Sequence, residues 1–199
     1  MTDPIRDAAD AALRGEPIVV PTDTVYGIGT RPDHPAATAR VFEAKSRPPQ
    51  LELPVLVPSV TVAMDIAAFD DRAALLAARF WAGPLTIVLG RTEASRRWDL
   101  GGDAGTIGVR MPRHPLALAV LARTGPLAVT SANRSGEATP VTCDGVRAVF
   151  GDRVSVYLCE ASPLEGTAST VVDLTGRVPR FVRVGALSEE DVLGALSQA

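Results

Sequence analysis

Lysine is almost missing from this chain of 199 residues: of twenty basic side chains only Lys45 is a lysine, and the rest are arginine. Histidine and cysteine are nearly as scarce, with two of each. Both histidines, His34 and His114, stand directly before a proline, a position that suits a helix cap or the surface better than catalysis. No Cys/His cluster has zinc-ligand spacing, so a structural zinc site loses support. Cys143 and Cys159 lie sixteen residues apart and form no CxxC; in a chain of this size they read as reduced thiols of a cytoplasmic protein, not a disulfide framework. GxSxG, GxxxxGK[ST] and GxGxxG are all missing, which removes the nucleophile elbow and the common nucleotide loops. No apolar run approaches the ~20 residues a membrane-spanning helix needs, and residues 1–14 carry acids and no unbroken apolar stretch, so no signal peptide is expected. The net charge of -3 argues against a protein that mainly grips phosphate backbones, because counterion release needs many cations.

What is present is ordinary globular material, 46% hydrophobic and 22% charged, enough to bury the core of one domain over residues 1–199. Asp3-Pro4, His34-Pro35, Ser59, Asp70-Asp71 and His114-Pro115 read as helix starts, and Ser188 to Asp191 as a capping box. Between them lie β-rich runs at Ile18–Pro21, Leu53–Val57, Leu85–Leu89, Thr106–Met111, Leu127–Thr130, Val154–Leu158, Ser169–Leu174 and Arg180–Val184. The last of these follow one another too closely for helical crossovers. The expectation is an α/β domain with an open, twisted, mixed sheet and flanking helices. The segments 100–105 and 161–167 read as mobile loops, a kind that often carries function.

Five constellations carry hydroxyl, amide and guanidinium groups at strand ends. In Pro21 to Gly29, Thr22 and Thr24 share a side and Asp23 points away, while Gly27 and Gly29 permit a tight turn or close approach to a ligand; a plain strand-to-loop turn explains the segment equally well. Lys45-Ser-Arg-Pro48 reads either as cations complementing a helix dipole or as a phosphate clamp. Thr106, Gly108 and Arg110 share one face of their strand, as the floor of a polar groove or as a solvent-facing strand. Ser131 and Asn133 likewise share a side, in a segment that also suits a turn. Arg183 interrupts an apolar strand and should meet an anion or a carboxylate such as Asp173. Groups of this kind orient ligands and stabilise negative charge without a covalent nucleophile, which fits reactions at phosphorus.

In order, PTDTVYG, KSRP, FWAGPLT (Phe80–Thr86), GVRMP, SANRSG and STVVD followed by VRVG resemble the successive signatures of the YrdC family, over Ile18 to Leu187. The resemblance implies an open α/β fold with a central polar cavity, in the short, single-domain form. It implies an L-threonylcarbamoyladenylate synthase, a nucleotidyltransferase making threonylcarbamoyl-AMP and pyrophosphate from L-threonine, bicarbonate and ATP with Mg²⁺. Partner proteins would then carry the group to tRNA, itself at most a transient partner. It further implies that Thr24, Arg110 and Ser169 hold threonine, that Arg47, Thr106, Ser131, Asn133 and Arg183 surround the nucleotide, and that Lys45 stabilises charge at the α-phosphate. Leu53 and Pro58 stand where many members have asparagine and a threonine-holding histidine. The alternative within the same fold is a YciO-like paralogue with an RNA-related role, although such paralogues tend to lack KxRP and SANxSG.

Overall fold

The computed structural model describes residues 3–197. Asp3 accepts hydrogen bonds from the Ile5 and Arg6 amides and Pro4 opens the first helix, α1 (Pro4–Leu13). The same grammar starts α2 (Pro35–Lys45), α3 (Val60–Ile66), α4 (Asp71–Phe80), α5 (Pro115–Thr124) and α7 (Glu189–Leu196), the last with a capping box between Ser188 and Asp191. Helix α6 (Cys143–Phe150), capped by Thr142, has no counterpart among the sequence expectations. His34 and His114 precede their helices but make no side-chain cap bond.

The strands are β1 (Ile18–Val20), β2 (Gly27–Thr30), β3 (Val55–Leu56), β4 (Leu85–Gly90), β5 (Thr106–Arg110), β6 (Leu127–Ser131), β7 (Val156–Tyr157), β8 (Thr170–Asp173) and β9 (Arg180–Arg183). They form one nine-stranded sheet in the order β7-β1-β2-β6-β3-β5-β4-β8-β9. Its pairs are parallel at β1/β7, β3/β5 and β4/β8 and antiparallel elsewhere, so the sheet is mixed as expected. Gly27 and Gly29 lie in a strand and not in a turn. A Cβ at Gly29 would stand 2.3 Å from the Ala128 carbonyl oxygen, so glycine is what lets β2 pair this closely with β6.

Two apolar cores lie on opposite faces. Val55, Leu85, Ile87, Leu89, Ile107 and Val109 point into the larger one, under α2, α3, α4, α6 and α7. On the other face α1 and α5 cover Ile18, Val20, Leu127 and Val129. These two helices cover the β7, β1, β2 and β6 side of that face, with Leu56 of β3 at the edge of their core. Over β3, β5, β4, β8 and β9 it lies open, and the cavity forms there.

The cysteines depart from the sequence reading. Cys143 opens α6, Cys159 follows β7, and the two are joined as a disulfide with their Cα atoms 5.4 Å apart. A sixteen-residue separation says nothing of this proximity, because a helix start and a strand end meet there only once the sheet has formed.

Candidate active site

Strand alternation builds the floor of a cavity of about 610 Å³. Pro54 and Leu56 from the β3 segment, Gly108 and Arg110 from β5, Thr86 and Val88 from β4, and Val171 from β8 face it, together with Ser169 just before β8 and Val182 and Arg183 from β9. The turn between β1 and β2 folds over one side with Thr22 and Thr24, and the end of β6 brings Ser131 and Asn133. Arg47, Gln50, Leu51 and Glu52 close another side. Of the residues expected to bind ligands, Thr24, Arg47, Arg110, Ser131, Asn133, Ser169 and Arg183 therefore converge on one space. Thr106 does not: it starts β5 at the end remote from Arg110, where its carbonyl oxygen accepts from Arg91 and its hydroxyl donates to Asp103. Neither Leu53 nor Pro58 lines the cavity; Leu53 is fully buried in the core.

The three guanidiniums on the wall differ in their partners. Arg110 donates to the Gly83 carbonyl oxygen at 3.0 Å, Thr24 Oγ1 at 2.9 Å and Asp23 Oδ1 at 2.7 Å. Asp23 points away from the cavity that Thr22 and Thr24 line, as expected, and meets Arg110 from behind the wall. Arg47 donates to the Leu51 and Glu52 carbonyl oxygens, and Arg183 to the Ser169 carbonyl oxygen and hydroxyl. Neither has a carboxylate partner among the described residues. Asp173, the carboxylate foreseen for Arg183, is taken by Arg180 at 2.7 Å, and Arg183 is exposed at the cavity mouth instead of buried in its strand. Desolvation, only partial at Arg183, lowers the proton affinity of all three; Asp23 works against it at Arg110, and the charge of Arg183 adds to the lowering at Arg47 and Arg110.

The hydroxyls are arranged in pairs. Thr22 Oγ1 donates to the Val25 carbonyl oxygen, so the proton in the 2.9 Å Thr22–Thr24 bond is the one on Thr24. Thr24 also accepts from Arg110, which leaves it one lone pair. Thr86 and Ser169 are bonded at 3.0 Å, and Ser131 donates to Asn133 Oδ1. Among the described residues no histidine or carboxylate is bonded to any of these hydroxyls, so none is prepared as a nucleophile. Asn133 is saturated, since its amide nitrogen donates to the Arg134 and Glu137 carbonyl oxygens.

Lys45 is only 1% exposed and lies beneath the wall. Its Nζ donates to the Ser131 carbonyl oxygen, to the Asn133 carbonyl oxygen at 2.6 Å and to Asn133 Oδ1 at 3.2 Å. Three acceptors match the three N–H groups of an ammonium, while burial and then the charge of Arg47 draw its pKa down to about 7. Ser46, in the left-handed conformation at φ 50°, turns the chain so that Lys45 goes under the wall while Arg47 reaches the cavity.

Thr86 and Glu52 are wall residues that the sequence reading did not assign. Thr86 could have been found as the one hydroxyl inside the apolar run Leu85–Leu89, and Glu52 as the charge two residues before Pro54 on the same face. Glu52 has its pKa raised to about 7 by burial, against the nearby Arg91, whose guanidinium is 3.4 Å away.

The Sua5/YciO/YrdC family model, described as telomere recombination, matches residues 10–185. A Mycobacterium tuberculosis protein provisionally named as a threonylcarbamoyl-AMP synthase is 42% identical over 194 residues, covering 96% of this chain and 88% of its own. The crystal structure of Pyrococcus abyssi Sua5 complexed with L-threonine superposes with a TM-score of 0.91 at 36% identity, covering 96% of this chain and 57% of that one. This chain therefore spans little more than half of the archaeal protein, which is named threonylcarbamoyl-AMP synthase. Escherichia coli YciO gives a TM-score of 0.85 at 26% identity, covering 92% of this chain and 90% of its own.

Proposed function

The chain belongs to the Sua5/YciO/YrdC family, and from that premise we propose that it is a threonylcarbamoyl-AMP synthase, joining L-threonine, bicarbonate and ATP with release of pyrophosphate. The observation that carries this reading is a single cavity with three arginines on its wall, of which Arg47 and Arg183 have no carboxylate partner among the described residues. Two uncompensated guanidiniums suit the phosphates of a nucleotide. The third, half-neutralised by Asp23, suits the carboxylate of an amino acid.

In this reading Thr24, Arg110 and Ser169 hold threonine, and Arg47, Ser131, Asn133 and Arg183 surround ATP. Thr106 takes no part, since it stays off the wall. Lys45 serves the nucleotide end by fixing the Ser131–Asn133 segment, in place of the direct contact with the α-phosphate expected from sequence. The carbamate of threonine supplies the nucleophile, so the hydroxyls of the wall need only orient it. This is nucleotidyl transfer carried by positioning and electrostatics. Mg²⁺ enters as part of the MgATP substrate. The described residues bring no three metal-ligating side chains together, and Glu52 and Glu137 are the acids on the wall.

We place the reaction in the cytoplasm, where partner proteins would pass the threonylcarbamoyl group to tRNA; no helix of the described residues is long and apolar enough to cross a membrane. The disulfide lies outside the cavity wall, and no step uses it. The test is pyrophosphate release by the purified chain. It should require ATP, threonine and bicarbonate together, and release without threonine or without bicarbonate would overturn the assignment.

A further inference from the structure

The disulfide stands outside the reaction just described, yet it joins two stretches of chain that both reach the cavity. Cys143 is the first residue of α6, after the Thr142 cap, and is 8% exposed. Cys159 is exposed and borders a hollow of about 420 Å³ together with Asp144, Arg147 and Ser162. The Arg147 guanidinium reaches Cys159 Sγ at 3.8 Å while lying over the Tyr157 ring. The first stretch leads from β6 to α6 and places Glu137 and Thr139 on the cavity wall. The second leads from β7 to β8 and places Ala168 and Ser169 there. Where they pass, the Leu164 amide donates to the Val141 carbonyl oxygen at 2.9 Å. Beside it the Gly166 amide donates to the Thr24 carbonyl oxygen at 3.1 Å. A Cβ at Gly166 would stand 2.9 Å from a Val141 methyl, so the two stretches lie in contact.

Resting on the reading of this cavity as a threonine site, we propose that Cys143–Cys159 is a thiol–disulfide exchange site for a dithiol reductant, and that opening it loosens the rim over Thr24 and Ser169. The surroundings of both sulfurs favour the opened form. A thiolate on Cys143 sits at the N-terminus of an eight-residue helix, and one on Cys159 sits beside a guanidinium. Both settings lower the pKa of a thiol, and a bond whose thiolates are stabilised is the more readily reduced. In a cytoplasm such bonds are made and broken in use and are not kept as permanent staples. A thiolate of the reductant attacks Cys159, the exposed sulfur. A mixed disulfide forms, the Cys143–Cys159 bond breaks, and Cys143 leaves as the thiolate. The second thiolate of the reductant then attacks its own sulfur in the mixed disulfide and releases Cys159. The chain gains two electrons and two protons, and the reductant becomes a disulfide. Between Cys159 and Ala168, what then holds the second stretch among the described residues is non-covalent. It consists of the amide bonds at Leu164 and Gly166, the Glu160 amide on Tyr26 Oη and the Glu160–His114 contact at 3.3 Å.

The test compares the purified chain after oxidation with diamide and after reduction with dithiothreitol. Mass after iodoacetamide treatment should show no free thiol in the first form and both cysteines alkylated in the second. Hydrogen exchange at the Leu164 and Gly166 amides should be at least ~10-fold faster in the reduced form, within what a cross-link of this span contributes to holding a segment. In pyrophosphate release, reduction should raise the threonine KM by at least ~3-fold and leave the ATP KM within about twofold, because the loosened stretch crosses Thr24 and ends at Ser169. The double variant Cys143→Ser with Cys159→Ser should behave as the reduced form under both treatments. Arg147→Gln should slow alkylation of Cys159 near pH 7 by about threefold, since one pKa unit of lost thiolate outweighs the gain in nucleophilicity. If diamide forms no bond, or if both forms exchange alike at Leu164 and Gly166, the inference is overturned. Equal threonine KM values for the two forms would overturn the link to the cavity. If neither form releases pyrophosphate with threonine, the threonine reading falls, while the exchange rates still decide whether the cross-link holds the rim.

Discussion

Lys45 Nζ lies 2.6 Å from the carbonyl oxygen of Asn133, eighty-eight residues away in the chain, and its other donors go to the Ser131 carbonyl oxygen and the Asn133 side chain. The lone lysine is therefore a clamp on the wall of the cavity. Its own carbonyl oxygen accepts from the Ser135 amide, so main chain and side chain hold the same loop.

This placement reverses what a lysine at a helix end would do on substitution. An exposed one contributes only ~0.3–1 kcal/mol through the helix dipole. Lys45→Ala instead strips the Ser131 and Asn133 carbonyl oxygens of this donor, while Asn133 Oδ1 keeps the Ser131 hydroxyl, and should cost about 3 kcal/mol in a denaturant titration. Lys45→Arg cannot fit a planar fork into a cage filled by an ammonium, and should lose both stability and turnover. If both variants unfold at the wild-type midpoint and turn over normally, the clamp is not needed.

Glu52 makes a prediction about pH. Its folded-state pKa is raised from 4.5 to about 7, so between those values the native state holds a proton that the unfolded chain has released. Stability from this group is complete below about pH 4.5 and is lost as pH rises through 7. Glu52→Gln removes the titration. The stability of wild type relative to this variant should fall between pH 4.5 and 7.5, by at most ~3 kcal/mol. Parallel stability curves for the two proteins would rule out the burial effect.

Arg110 is tied to Asp23 with both side chains 7% exposed. Arg110→Ala alone would strand a buried carboxylate, at a cost of about 3–5 kcal/mol that has nothing to do with ligands. The informative variant pairs Arg110→Met with Asp23→Asn, which removes both charges. In calorimetry it should lose at least ~10-fold in threonine affinity, one charge-assisted contact, and keep ATP affinity within about twofold. An equal loss for the two ligands would show that Arg110 does not belong to the threonine end.

Much of this site could be read from the sequence because its signals are local. Period-two alternation places Gly108 and Arg110 on one face, Thr22 and Thr24 do share a side, and prolines after Asp3, His34 and His114 open the helices where expected. The misreadings have long-range causes. Lys45 is buried by a loop eighty-eight residues later, and Arg183 is left without a carboxylate because Arg180 takes Asp173. Strand β2 was hidden because its glycines, read as turn formers, are needed for the contact with β6. His114 reads as a cap, yet it makes no cap bond, and only the folded chain brings Glu160 to its ring.

The last prediction concerns which amino acid the cavity accepts. Arg110 donates to Thr24, Thr24 to Thr22, and Thr22 to the Val25 carbonyl oxygen. This chain fixes the direction of every proton and leaves Thr24 Oγ1 able only to accept. A threonine hydroxyl can donate to it; the methyl that valine carries in the same place cannot. Valine would therefore leave a buried acceptor unpaired. Serine keeps the hydroxyl and lacks one methyl, a difference of ~1–3 kcal/mol or roughly 10–200-fold. Pyrophosphate release at saturating ATP and bicarbonate should thus give kcat/KM in the order threonine, serine, valine. Thr24→Val should shrink the gap between threonine and valine, because the acceptor that distinguishes them is gone, while the preference of threonine over serine should persist. If Thr24→Val leaves the threonine-to-valine ratio unchanged, the hydroxyl is read by another group, and Ser169, bonded to Thr86 and Arg183, becomes the next position to vary.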